Sequence, residues 1–320
     1  MNDFRKEVQI MSKIFHPNVV LFMGACTQAG NIKIVTEMMD MDLEHFLKTE
    51  EGRTLSLFQR MKLAKDAALG MNWLHGITKI IHRDFKTANL LVSFDENLRT
   101  KVIDFGFSEI KPSMTGQYLK DQFGPRGTAL WMAPEVMQGK EFDESIDVYA
   151  FGIVLWEIVM LLEPFAHHDD WDVFFDAVVL KGERPPLDAA TFGKMNKETS
   201  SSTAKKNHAL AHKIVHVNTM SNPLITELPA SLASLIRDCW SHVPRQRPSF
   251  NQIVYRIDEV LVDTAIEGND ARALLYGVYC LQVLTIPSQT RRAVHSGARC
   301  SCCRAKSCKS ASTGTNSCKH

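Results

Sequence analysis

The stretch His82–Val92, HRDFKTANLLV, followed twelve residues on by DFG at Asp104–Gly106, decides how this chain is read. It sets Asp84, Lys86 and Asn89 in a short loop ahead of an apolar segment, NLLVS, and it ends a second apolar segment, KVID, on Asp104 before a flexible glycine. The two segments flank the polar turn DENLR and read as strands. A base, a lysine and two metal-binding side chains converging on one spot are what phosphoryl transfer requires. The base accepts a hydroxyl proton, metal ions neutralise phosphate charge, and the lysine stabilises the transferring group.

Working outward, the chain opens MNDFRKEVQIM, and Phe4, Val8, Met11 and Phe15 recur at helical spacing, which predicts a helix over residues 3–15. Glu7 sits on the edge of that stripe. Taken alone it reads as an acid in an early helical turn, favoured by the macrodipole. Two strands follow, VVLFMGAC and NIKIVTEM, separated by a turn containing Gly30. In residues 54–76, Leu57, Met61, Ala64, Ala68 and Met71 keep helical spacing, with Gly76 placed to end the helix. Further helical patterns cover 145–162, 170–181, 229–240 and 249–264.

Composition narrows the class. The 320 residues are 45% hydrophobic and 23% charged, an ordinary soluble balance. The net charge is +1, but residues 286–320 hold seven Lys or Arg and no acid, so the rest carries −6, which argues against nucleic acid as a partner of the main body. Early charges (Asp3, Arg5, Lys6, Glu7) exclude a secretory apolar region. The longest apolar run, VYAFGIVLWEIVMLL, follows Asp147 and is interrupted by Glu157, so it falls short of a transmembrane segment and reads as a buried core helix. Cys26, Cys239 and Cys280 have no paired spacing, consistent with reduced thiols and a cytoplasmic location.

HRD-x-K-x-x-N, DFG and the APE of LWMAPE (residues 130–135), in that order and at these separations, resemble the signature set of protein kinases. The resemblance runs from residue 3 to about 264. FRKEVQIMSKIFHPNVVLFMGACT is similar to the regulatory helix and fourth strand of tyrosine-kinase-like kinases, the Raf-like and MAP kinase kinase kinase types especially. It implies an α+β, bilobal fold with a mainly helical large lobe and a small lobe represented by one helix and two strands. It implies ATP and Mg2+ as cofactors, a protein hydroxyl as substrate, Asp84, Lys86, Asn89 and Asp104 as catalytic residues, and Asn89 and Asp104 as the metal ligands. Thr36 becomes the gatekeeper, Glu37 and Met39 offer backbone groups to adenine, and Leu91 joins them in the nucleotide site. Asp147 anchors the backbone of the HRD loop, and Arg247 in RQRPSF pairs with Glu135. Met11, Phe22, His82 and Phe105 stack as a spine.

The same likeness speaks to specificity and control. Lys86, two residues after the base, with Thr128 in GTALWMAPE, is the serine/threonine-kinase arrangement, although some members of this group act on both hydroxyl types. Arg83 before the base implies control by a phosphate added by an upstream kinase, for which Ser113, Thr115 and Tyr118 are candidate acceptors. Each of the three, taken singly, also reads as a solvated loop hydroxyl. Glu7 becomes the helix glutamate that pairs with a third-strand lysine. That lysine and the glycine-rich phosphate loop belong ahead of residue 1, and no GxGxxG occurs downstream.

The expected organisation is a partial small lobe and hinge at 1–39, a large lobe at 40–264 interrupted by a polar, Ser- and Lys-rich surface insertion at about 188–228, a helical extension at 265–285 and a disordered tail at 286–320. The tail's Cys300, Cys302, Cys303, Cys308 and Cys318 lack the paired C-x2-C spacing of common zinc sites. Three readings of the whole remain open: a piece of a longer active kinase, a pseudokinase that binds and scaffolds, and an enzyme whose small lobe another chain completes.

Overall fold

Asn2–Met11 forms helix α1 in the computed structural model, which describes residues 2–28, 31–94, 97–104, 128–168, 170–187 and 228–267. These residues fall within one compact unit, Met1–Gly277. The helix stops earlier than its periodicity predicts. Lys13 and Ile14 donate to the carbonyls three residues back, Ile10 and Met11, at 3.1 Å each. A turn tightened in this way eclipses positions i and i+3, so Ile14 follows Met11 into the core while Phe15, the expected fourth member of the stripe, is 78% exposed.

Two small sheets follow. Strands β1 (Phe22–Cys26) and β2 (Lys33–Thr36) form an antiparallel hairpin, with Phe22 opposite Thr36 and Cys26 opposite Lys33. Strands β3 (Met41–Asp42), β4 (Leu90–Ser93) and β5 (Arg99–Val102) form an antiparallel sheet in that order, in which Leu90 faces Val102 and Ser93 faces Arg99. The segment before the hairpin fastens the two. Val102 donates to Asn18 O and Val20 donates to Val102 O, both at 2.9 Å, so Asn18–Val20 runs beside β5 as a parallel bridge.

Helices supply the rest. After α2 (Leu43–Lys48) and α3 (Glu50–Thr54), helix α4 (Leu57–Trp73) starts at a capping box: Ser56 Oγ accepts from Gln59 N–H while the Gln59 side chain accepts from Ser56 N–H. Met61, Ala64, Ala68 and Met71 are all buried. Gly76 does not end this helix. The chain runs through it in a π turn (Leu74–Thr78), and Lys79, at φ 58°, makes the left-handed exit. Gly70 lies where α4 crosses the Asn18 strand; a Cβ there would stand 2.6 Å from Asn18 O.

After a short α5 (Pro134–Met137), α6 (Ser145–Met160) is buried from Ile146 through Met160. A helix apolar on every side can be satisfied only at the centre of a core. Arg60, itself buried, reaches from α4 to the end of α6 and donates to Val159 O at 2.8 Å, placing a cation at that helix's negative pole. Helix α7 (Trp171–Phe175) with its π turn (Asp176–Leu180), α8 (Ala230–Cys239) and α9 (Phe250–Glu267) complete the described fold. Among the described residues no helix is long and apolar enough to cross a membrane. Residues 188–227, the helical extension beyond Glu267 and the tail lie outside the described residues.

Candidate active site

The loop before β4 is pinned from below by α6. Asp147, 1% exposed, accepts the backbone N–H groups of His82 at 2.7 Å and Arg83 at 2.8 Å, and the His75 ring nitrogen at 2.8 Å. Three donors around one buried carboxylate leave the loop little freedom. Phe85 adds an apolar plug: its ring lies 6.1 Å from Phe151 of α6, which in turn meets Phe250 of α9 edge-on at 5.4 Å. Between the charge anchor and the plug sits Asp84.

Asp84 is held by its own loop. Asn89 Nδ2 donates both to Asp84 O at 2.7 Å and to Asp84 Oδ2 at 2.9 Å, and Lys86 Nζ lies 2.9 Å from the same Oδ2. Oδ1 is buried and, among the described residues, has no hydrogen-bond partner. A buried carboxylate oxygen left unpaired is costly unless something arrives to use it.

Asp104 is brought alongside through its chain neighbour. Ile103 N–H donates to Asn89 O at 3.1 Å, and Ile103 O lies 3.0 Å from His82 Nε2, so the residue before Asp104 is gripped from both sides. Arg83 and Asp104 both adopt left-handed backbone, at φ 68° and 69°. For non-glycine residues that conformation is strained, and such strain concentrates at functional sites. With the Asn89 amide nitrogen committed to Asp84, its Oδ1 is the atom left for a cation. An amide oxygen and a carboxylate are hard donors, so Asn89 Oδ1 and the Asp104 carboxylate are of the type that would fit Mg2+.

Toward the hairpin, Thr36 ends β2, and Glu37 begins the crossing to β3. Glu37 N–H donates to Leu21 O at 3.0 Å, while its carboxylate accepts from Leu21 N–H and from Lys101 Nζ, each at 2.7 Å. This clasp holds the crossing segment against β5. Among the described residues, the carbonyl of Glu37 and the N–H of Met39 have no hydrogen-bond partner. Leu91, half-buried on β4 opposite Lys101, belongs to the sheet that this crossing segment joins.

Farther out, Arg247 grips Glu135 with two parallel bonds, 2.6 and 2.9 Å, and both residues are buried. That fork is the strong geometry for such a pair. The sequence reading assigned no role to a further buried carboxylate, Glu157 of α6. It accepts from Trp131 Nε1 at 2.6 Å and from Thr87 Oγ1 at 3.3 Å, joining the loop before β4 to the LWMAPE segment. Burial, reinforced by Glu44 and Glu163, pushes its pKa up to about 8 against the Trp131 and Thr87 hydrogen bonds. Burial also lowers the Arg83 guanidinium, against the pull of Asp147.

The remaining sequence-selected residues divide by what the structure describes. Thr128 opens the turn Thr128–Trp131, and Glu7 lies on α1; their side chains are outside the description. Phe105, Ser113, Thr115 and Tyr118 lie outside the described residues. Met11, Phe22 and His82 are wholly or partly buried against the core.

Residues 1–257 match the family described as protein tyrosine and serine/threonine kinase. This chain belongs to the protein kinase family. It is 50% identical over 273 residues to the dual specificity protein kinase shkD of Dictyostelium discoideum, covering 85% of this chain and 31% of that protein. To shkE of the same organism it is 44% identical over 271 residues, 85% of this chain and 32% of that protein. To the serine/threonine/tyrosine-protein kinase HT1 of Arabidopsis thaliana it is 36% identical over 252 residues, 78% of this chain and 53% of that protein. The chain thus spans about a third of the length of the first two relatives and about half of the third.

Proposed function

We propose that this chain carries the catalytic core of a protein kinase that transfers the γ-phosphoryl group of ATP to serine and threonine hydroxyls of proteins, with tyrosine as a further acceptor. The observation that carries the reading is the buried Oδ1 of Asp84, which has no hydrogen-bond partner among the described residues. Its partner oxygen is already held by Asn89 and Lys86, so the carboxylate is oriented and Oδ1 is the atom available to take the hydroxyl proton. Lys86 stands where charge on the transferring group needs compensation. Asn89 Oδ1 and the Asp104 carboxylate would hold Mg2+, which supplies neutralisation of phosphate charge. The Glu37 carbonyl and Met39 N–H would receive the adenine edge, with Thr36 and Leu91 shaping its slot.

The printed names of the relatives, dual specificity and serine/threonine/tyrosine kinases, support the wider acceptor range. Control by an upstream kinase acting on Ser113, Thr115 or Tyr118 and read by Arg83 belongs to the same proposal, as does a cytoplasmic location, which the unpaired Cys26 and Cys239 suit.

The test is transfer of label from γ-labelled ATP with Mg2+ to protein substrates rich in serine, threonine and tyrosine, alongside nucleotide binding measured separately. Asp84→Asn is expected to lower turnover by about 100-fold or more, the worth of a positioned base, while nucleotide binding persists. Wild-type turnover in Asp84→Asn would overturn the assignment. Metal-dependent nucleotide binding with no transfer by the unaltered chain would make it a binding module.

A further inference from the structure

His167 and His168 meet Glu183 at a place that shares no residue with the Asp84 loop. The two Nε2 atoms lie 2.8 and 2.9 Å from the same oxygen, Glu183 Oε1. One ligand atom from each residue lies within 4.8 Å of the others, and among the described residues no other trio of His, Cys, Asp or Glu converges so.

Both halves are fixed by backbone. Phe165, left-handed at φ 53°, turns the chain after α6, and its carbonyl accepts the His168 N–H at 2.9 Å. Glu183 N–H donates to Ala177 O at 2.9 Å, and the Arg184 guanidinium holds the Glu183 carbonyl at 2.6 Å. The His168 ring stands edge-on to Phe174, 5.9 Å away, and the two imidazoles are 4.0 Å apart. Side-chain exposures of 25% for His167, 10% for His168 and 28% for Glu183 leave an entry path from solvent.

Hydrogen bonds alone hold this trio only if each Nε2 carries a proton toward the shared oxygen. A metal ion replaces both protons. Tetrahedral zinc, with bonds of about 2.1 Å, sets its ligand atoms about 3.4 Å apart, so each N···O separation needs to open by only about 0.5 Å. Two imidazoles and one carboxylate form the donor set of zinc sites that keep a fourth position open. The nitrogen ligands select transition metals over Mg2+ and Ca2+.

We propose that His167, His168 and Glu183 form a binding site for a divalent transition-metal ion, with zinc as its first occupant, fastening the turn after α6 to the segment after the Asp176–Leu180 turn. Ligation ties the ends of the stretch that contains α7, so metal binding to the folded chain stabilises it by mass action.

The test uses untagged full chain in which Cys300, Cys302, Cys303, Cys308 and Cys318 are replaced by serine, so that tail thiolates do not compete. Co2+ titration read by visible absorption, with displacement by Zn2+, is expected to show one equivalent bound without a thiolate charge-transfer band. His167→Gln, His168→Gln and Glu183→Gln should each weaken binding by at least the roughly 10–100-fold that losing an outer-shell partner alone costs. The melting temperature should rise with free Zn2+ in the parent chain, and this rise should vanish in the three variants while their melting stays cooperative. Saturable Co2+ binding unchanged by the variants, or no saturable binding at all, would overturn the site and leave a carboxylate that hydrogen-bonds two imidazoles.

Discussion

Trp131 Nε1 donates to Glu157 Oε2 at 2.6 Å, a contact between residues 26 positions apart that ties the segment before α5 to the central helix. Thr87 Oγ1 reaches the same carboxyl group from the other side, at 3.3 Å. Glu157 therefore stands between the loop that carries Asp84 and the segment that carries Trp131. It is the one acid inside the apolar run Val148–Met160 of that helix, and its burial, with Glu44 and Glu163 nearby, raises its pKa from 4.5 to about 8. The folded state therefore binds this proton more tightly than the unfolded chain does. Its contribution to stability is full below pH 4.5 and is lost as the pH rises through about 8. Glu157→Gln keeps an oxygen for Trp131 and an amide for Thr87 and removes the titration. The variant should match the parent near pH 5 and exceed it at pH 8 by on the order of 1–3 kcal/mol, the cost of an imperfectly satisfied buried group. Denaturant melts of both proteins across that range check this, and parallel pH profiles would refute it.

Asp147 supports the loop from beneath with a carboxylate that accepts from His75, His82 and Arg83. In Asp147→Asn one oxygen becomes an amide donor and faces a donor. Loss of a hydrogen bond to a buried charged group costs about 1.5–3 kcal/mol, and the loop carrying Asp84 should lose its position. Phosphotransfer should fall with KM for nucleotide little changed, since the groups proposed to receive adenine, at Glu37 and Met39, are untouched. A variant with parental stability and turnover would show that the phenylalanine plug alone sets the loop.

The residues that meet around Asp84 are adjacent or nearly so in the chain, which is why the sequence displays them. Asp84, Lys86 and Asn89 are bound to one another within a six-residue stretch, and Asp104 is reached through a single strand pair. Helix α6 was legible for a similar reason, because an unbroken apolar run can be satisfied only by burial. Other contacts made across the fold, outside those that the family resemblance implied, left no such trace. Lys101 and Glu37 are 64 residues apart, and Thr87, Trp131 and Glu157 share no periodicity. Only Glu157 carried a signal, as a lone acid inside the apolar run. The error at Phe15 has a local cause: a helical period does not show where a helix tightens into three-residue bonds, and from that point its face is displaced.

Gly70 tests how closely α4 must approach the strand that joins the hairpin to β5. An added Cβ would meet Asn18 O at 2.6 Å and Val102 Cγ2 at 2.9 Å. The carbonyl is backbone and already accepts from Val102, so it has little room to retreat. Gly70→Ala is expected to lose stability despite alanine's better helix propensity, by about 1–3 kcal/mol, the usual cost of overpacking. A gain in thermal stability would show that Asn18–Val20 yields readily.

Tyr149 offers the opposite case, a buried group whose removal should cost nothing. Its hydroxyl is buried without a partner among the described residues, and its ring is flanked by the guanidinium groups of Arg184 and Arg247 at 5.0 and 5.1 Å from the ring centre. Burial raises its pKa, so the phenol stays neutral and contributes no ion pair with either arginine. Tyr149→Phe keeps the ring face that attracts both cations and removes an oxygen whose hydration was lost on folding. The variant should be equal to the parent or more stable by up to about 1 kcal/mol. A loss well beyond that, in denaturant unfolding at neutral pH, would mean that the hydroxyl makes a bond essential to the Glu135–Arg247 corner.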